Sequence, residues 1–309
     1  MHIICGVDVS KAWLDAFVAG LHRRFANTEQ GCRQLFELCR EHGAYLVVME
    51  ATGGLEQPAF VTLWKLGQAT AIANARSVRR FAEAMGALEK TDRIDAQMIA
   101  RFAEAKRMVP TPPPSTDQQQ LNALATRLRQ VTVDLGNQKR RLHSARDQMV
   151  RASLREAIAF FTTQARQLAD QIASLIDADP LWSALDRTIR SVKGAAGRTV
   201  AYLLAELPEI GTLSNRAISK LVGLAPLPDD SGERRGKRSI RGGRANIRSL
   251  LFLIADIVRK FDKSLGDFRL RIIDKGLSKM QVRVALAHKL LVRLNAKARD
   301  TRAELAQNT

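Results

Sequence analysis

HIICGVD at residues 2–8 and YLVVME at residues 45–50 are two apolar runs that each close on an acid, Asp8 and Glu50. Each reads as a β-strand, and Glu50 is followed at once by the turn-like ATGG. Two further acids, Asp92 and Asp95, lie in KTDRIDAQMIARFAEA at residues 90–105, whose periodicity is helical. A spacing of three puts both on one helix face. Two strand ends and one helix face can therefore converge on a point. In a chain of formal net charge +18, a clustered acidic pocket suggests divalent-metal and phosphate chemistry.

Working outward, residues 2–9, 12–19 and 22–27 have the pattern of three successive antiparallel strands. GCRQLFELCREHG at 31–43 is helical and stops at Gly43. Then come a strand at 44–49, a helix over 55–67, a strand in QATAIANA, and helices over 76–86 and 92–106. Three strands followed by alternating helix and strand is the order of an α/β RNase H-like domain, expected here over residues 1–109. PTPPPS at 110–115 is a stiff break. Residues 116–179 are nearly free of Gly and Pro and predict two long helices, an antiparallel pair or coiled coil, with Gly136 and the neighbourhood of Ser153 as irregularities. That segment is either an oligomerisation arm or a nucleic-acid contact through Lys139, Arg140, Arg141 and Arg146. Residues 180–309 predict a mainly α-helical third unit.

Composition narrows the partners. A hydrophobic content of 46% supports a large core, while 49 Lys and Arg against 31 Asp and Glu favour a polyanionic partner. Nucleic acid stands ahead of membrane, because no apolar stretch is long enough to span a bilayer and the N-terminus enters a strand without a signal-like segment. Cys5, Cys32 and Cys39 form no metal-ligand pattern and suit a reducing cytoplasm. Trp13, Trp64 and Trp182 are isolated and expected in the core.

A second constellation runs from Ser231 to Arg248. Gly232, Gly236, Gly242 and Gly243 permit close backbone approach, and Arg234, Arg235, Lys237, Arg238, Arg241, Arg244 and Arg248 offer phosphate contacts. Ser231, in this basic setting, is either a hydrogen-bond donor to phosphate or a nucleophile; Ser239 and Ser249 are not excluded by chemistry alone. Gly194 and Gly197 belong either to a helix-hairpin-helix-like backbone binder or to a simple turn.

Taken together, GVDVSK (6–11), VVMEATGG (47–54), KTDRIDAQMIA (90–100), KGAAGRTVAYLLAEL (193–207), KLVGLAP (220–226) and SGERRGKRSIRGGRANIRSLL (231–251) resemble the IS110-type transposases, a group that includes site-specific DNA invertases. The resemblance implies a RuvC-like domain with a D-E-D-D site at Asp8, Glu50, Asp92 and Asp95 for Mg²⁺ or Mn²⁺. It also implies a C-terminal domain whose Ser231 attacks DNA and forms a phosphoserine link. DNA at element ends and target, an element-encoded noncoding guide RNA in some members, and a homodimer or homotetramer are the implied partners. One motif departs from the family's G-x-G turn, since Gly194 is followed by Ala195, Ala196 and Gly197. Two rival readings are a RuvC-like nuclease using the acids alone and a non-catalytic nucleic-acid-binding protein.

Overall fold

β1 (Ile3–Val9), β2 (Trp13–Val18) and β3 (Leu21–Ala26) form an antiparallel meander. Ala19 (φ 50°) and Gly20 (φ 85°) turn the chain between β2 and β3; two successive positive φ angles match the twist of the flanking strands. The computed structural model describes residues 3–86, 92–195, 197–228, 230–232, 236 and 238–307, with residues 92–94 described by backbone alone. α1 (Glu29–Glu41) starts where the Thr28 side chain accepts from the Gly31 N–H, and it leads into β4 (Ala44–Glu50), parallel to β1. α2 (Gln57–Lys65), β5 (Thr70–Ala73), α3 (Ala75–Ala84) and α4 (Asp92–Ala105) follow. The sheet order is β3-β2-β1-β4-β5, with β5 parallel to β4.

Period-two alternation divides the sheet into two buried faces. Cys5, Val7, Val9, Leu14, Ala16, Val47 and Met49 pack with Cys32, Leu35 and Cys39 of α1 and with Phe60 and Leu63 of α2. Leu46, Val48, Ala71 and Ala73 pack on the other side with Val78 of α3 and Ile99, Phe102 and Ala103 of α4. Helices on both faces make this an α/β domain. Trp13 corrects the expectation of a buried indole: it is 46% exposed, because it shares its strand face with Asp15 and Phe17 while Leu14, Ala16 and Val18 point into the core.

Ser115–Thr309 form a second unit, distinct from Met1–Pro114. Its helices are α5 (Thr116–Ser144), α6 (Gln148–Ala178), α7 (Pro180–Arg190), α8 (Gly197–Glu206), α9 (Asn215–Val222), α10 (Ala245–Val258), α11 (Lys263–Asp274) and α12 (Lys279–Gln307). The two long helices break at residues 145–147 rather than at Gly136 or Ser153, both of which lie inside continuous helix. The Asp147 carboxylate caps the Val150 N–H, and the Arg151 guanidinium donates to the Leu142 and Ala145 carbonyls, so both helix ends are satisfied there. α5 and α6 are an antiparallel hairpin packed on each other and on α8. Their buried side chains sit at the root: Leu121, Ala125, Leu128 and Val131 of α5, and Ala165, Ile172 and Ile176 of α6. These share one core with α7 to α12. Buried Asn295 of α12 accepts from the Gly211 N–H at 2.9 Å and donates to the Leu213 carbonyl and Asn215 Oδ1 at 3.0 Å. It thereby pins the connection between α8 and α9. Among the described residues no helix is long and apolar enough to cross a membrane.

Candidate functional site

Register alone carries two of the acids together. β1 and β4 are parallel, with Gly6 beside Val48 and Val7 beside Met49. One step further along each strand stand Asp8 and Glu50. Glu50 also pairs with Ala73, whose side chain belongs to the core under α4, so Glu50 faces that helix. Asp8 lies on the same face as Gly6, two residues back, and Gly6 is where α4 touches the sheet: a Cβ there would meet the Ala96 carbonyl oxygen and stand 2.5 Å from the Ala100 nitrogen. Glycine is required because two backbones meet at that point. Asp95 adjoins Ala96, and Asp92 opens the helix one turn earlier. Asp8 and Glu50 thus stand at one end of the sheet face that α4 covers.

Asp8, Glu50 and Asp95 are half-buried. Among the described residues no three His, Cys, Asp or Glu are grouped tightly enough to hold a metal ion, and the Asp92 side chain lies outside them. The donor chemistry fits a hard dication all the same, since every group is a carboxylate.

Glu56, which no motif in the sequence marks, fixes the turn after Glu50. Its Oε2 accepts from the Thr52 N–H at 3.1 Å, the Thr52 hydroxyl at 2.9 Å and the Gly54 N–H at 2.9 Å. Burial pushes this carboxyl up, but these hydrogen bonds outweigh burial and hold it below the usual carboxylate range. Asp15 was also missed. It pairs with Asp8 across the antiparallel ladder and takes both ends of an Arg24 fork, at 2.8 and 3.1 Å.

In the second unit, Leu227 and Ser239 close a loop by mutual backbone hydrogen bonds of 2.9 and 3.3 Å. Ser231 stands exposed within it, and the Asp230 carboxylate accepts from the Gly236 N–H at 3.1 Å. Arg234, Arg235 and Lys237 lie outside the described residues; Arg238 and Arg241 are exposed. Arg244 and Arg248 have a different occupation from the phosphate contacts expected of them. The Arg244 guanidinium forks onto Glu209 at 2.5 and 2.6 Å and donates to the Glu206 carbonyl at 2.8 Å. Burial raises the Glu209 carboxyl, and Arg244 more than reverses this, leaving it below the usual range. Arg248 donates to the Gly242 carbonyl at 2.5 Å and the Val222 carbonyl at 3.2 Å. Gly243 (φ 69°) makes its close approach to protein, not ligand: an added Cβ would strike the Gly223 nitrogen and lie 2.6 Å from the Val222 carbonyl carbon. Gly223 (φ 77°) ends α9 in the left-handed conformation, and its own Cβ would meet the Gly242 carbonyl oxygen. KLVGLAP and IRGGR are thus welded main chain to main chain. Gly194 (φ 100°) packs toward Ile257 and Val258 of α10, and Ala196 beside it lies outside the described residues.

Residues 5–150 match the family model of the IS110 DEDD transposase, and residues 186–269 match that of the transposase IS116/IS110/IS902 family. The chain belongs to the IS110 family of transposases. The first match holds all four acids of this IS110-family transposase; the second holds Ser231 and the basic run. The transposase is also similar to the pilin gene-inverting proteins of Moraxella bovis and Moraxella lacunata. Each is 27% identical over 313 aligned positions that cover 96% of both chains. DNA is therefore its partner, and recombination its class of reaction.

Proposed function

We propose that this transposase cuts and rejoins DNA through Asp8, Glu50, Asp92 and Asp95 in one unit and Ser231 in the other. The observation that carries the reading is the register that sets Asp8 beside Glu50 on the face covered by the helix of Asp92 and Asp95. The sheet order β3-β2-β1-β4-β5, with acids on its first and fourth strands and its last helix, supports an RNase H-like, RuvC-type domain. The four carboxylates would hold Mg²⁺ or Mn²⁺. Such an ion neutralises charge at a scissile phosphate and makes a bound oxygen more acidic.

Ser231 loses its proton and its Oγ forms a bond to phosphorus, while the bond from phosphorus to the departing strand's oxygen breaks and that oxygen is protonated. One phosphate ester replaces another, so rejoining needs no nucleotide triphosphate. Arg234, Arg235, Lys237, Arg238 and Arg241 hold phosphates of DNA, or of an element-encoded guide RNA. Arg244 and Arg248, with Gly242 and Gly243, keep the loop in shape. A dimer or tetramer is the active assembly, with the α5–α6 hairpin as its arm.

The test combines purified protein, labelled element-end and target DNA, flanking noncoding RNA and Mg²⁺, followed by denaturing gels before and after protease. A protease-sensitive DNA adduct lost in Ser231→Ala and in Asp8→Ala is the expected result. Metal-dependent cleavage undiminished in Ser231→Ala, with no adduct, would establish a nuclease that uses the acids alone and overturn the serine step.

A further inference from the structure

The sheet face that carries Asp8 continues past it onto an exposed aromatic. Asp8 pairs with Asp15 across the β1–β2 ladder, so their side chains share a face, and Trp13 stands on that face two residues from Asp15. Because β2 runs against β1, Trp13 lies at the same end of the sheet as the acids. It sits about 7 Å further along its strand than Asp15. Single exposed apolar side chains are ordinary. This one is set apart by how firmly it is held and by what lies against it.

Its backbone N–H donates to Ser10 Oγ at 3.0 Å, and its carbonyl accepts from the Ser10 hydroxyl at 3.2 Å and the Ser10 N–H at 2.9 Å. Asn27 braces the same turn through the Ser10 and Ala12 carbonyls, both at 2.9 Å. The Arg24 guanidinium lies 5.8 Å from the centre of the indole and is itself fixed by the fork on Asp15. Trp13 remains 46% exposed, and the Arg24 side chain 49%. A half-open indole on a braced backbone, with a cation at its side and next to a site that faces phosphodiesters, has the composition of a stacking platform.

We propose that Trp13, braced by Arg24, stacks on an unpaired nucleobase of the strand whose backbone enters the acidic site. The occupant is an unpaired base because bases within a duplex are already stacked on one another, whereas a splayed base offers a free π-face. Arg24 lies where the phosphate beside that base would pass. The role as a guide for the cleaved strand rests on the reading of Asp8 and Glu50 as the strand-cutting site; the stacking itself does not.

The experiment measures binding of single-stranded DNA and RNA oligonucleotides of one sequence, each with 2-aminopurine at successive positions, to the full chain without metal. Wild type, Trp13→Phe and Trp13→Ala are compared, with thermal melts to confirm folding. Wild type should quench 2-aminopurine at a defined position. Trp13→Ala should lose that quenching and bind about tenfold more weakly, and Trp13→Phe should keep most of both. The DNA and RNA arms identify which strand supplies the base. If a folded Trp13→Ala variant quenches and binds as wild type does, the platform is refuted, whether or not the protein cuts DNA. If quenching depends on Trp13 but no metal-dependent cleavage occurs, the platform stands and the cleavage reading falls.

Discussion

Gly6→Ala should separate the geometry of the acidic site from the binding of DNA. Gly6 lies under α4, and the new methyl would sit 2.5 Å from the Ala100 nitrogen and closer still to the Ala96 carbonyl oxygen, whereas real Cβ atoms keep at least 3.0 Å. Both obstructing atoms are main chain, so no rotamer change relieves the clash; the helix must retreat from β1 by more than about half an ångström. The retreating helix carries Asp92 and Asp95, while Asp8 and Glu50 stay on the sheet. Overpacking of this kind costs about 1–3 kcal/mol, and each kcal/mol lowers Tm by roughly 4–8 °C in a domain of this size. Misplacing reacting groups by part of an ångström should slow metal-dependent cleavage by about ten- to a hundredfold. The assay follows single-turnover cleavage at saturating DNA beside a thermal melt of the same sample. DNA affinity should change little, because the basic run lies in the other unit. Adding Ala100→Gly should not rescue the rate, since it removes a side chain and leaves the obstructing backbone. A Gly6→Ala protein with wild-type cleavage and wild-type Tm would refute this account of how α4 is seated.

Glu56→Gln replaces a charged acceptor of three hydrogen bonds by a neutral one; a loss of about 1–3 kcal/mol, with slower cleavage and unchanged DNA binding, is expected from urea melts and single-turnover assays. Glu209 has its carboxyl held below the usual range, so its pairing with Arg244 stabilises the fold above about pH 4.3 and is lost as pH falls through the depressed value. Arg244→Ala should therefore flatten that acid limb when Tm is followed from pH 6 down to about pH 3; an unchanged limb would show that the pair is idle. Gly223→Ala meets both a left-handed backbone angle and the Gly242 carbonyl, and should cost about 1–3 kcal/mol while reducing the protein–DNA adduct more than DNA affinity.

Strand and helix positions in the first unit were legible because each element there announces itself locally. β1 and β4 are unbroken apolar runs, and α1 has Cys32, Leu35 and Cys39 at helical spacing. The alignment of Asp8 with Glu50 also followed from where those runs stop. Trp13 was judged by residue type; alternation separates it from Leu14, Ala16 and Val18 but does not by itself say how far the opposite face is covered at the start of β2. The protein contacts of Arg244 and Arg248 were not legible for a different reason. Their partners, Glu209 and the Val222 carbonyl, are 35 and 26 residues away, and nothing in a Gly- and Arg-rich run signals a tertiary acceptor. The break between the two long helices falls at 145–147, a few residues before Ser153, because Asp147 caps the second helix through one side-chain hydrogen bond, without Pro or Gly to mark it.

The hairpin of α5 and α6 has all its fully buried side chains near one end. Its outer half has no fully buried side chain among the described residues, and protection against hydrogen exchange should decline steadily from root to tip. Removing seven residues from each outer arm shortens the hairpin by about 10 Å and preserves the facing of what remains. The span of this limb is thus a quantity that insertions and deletions can adjust in matched steps, leaving the acids, the serine and the core that positions them untouched.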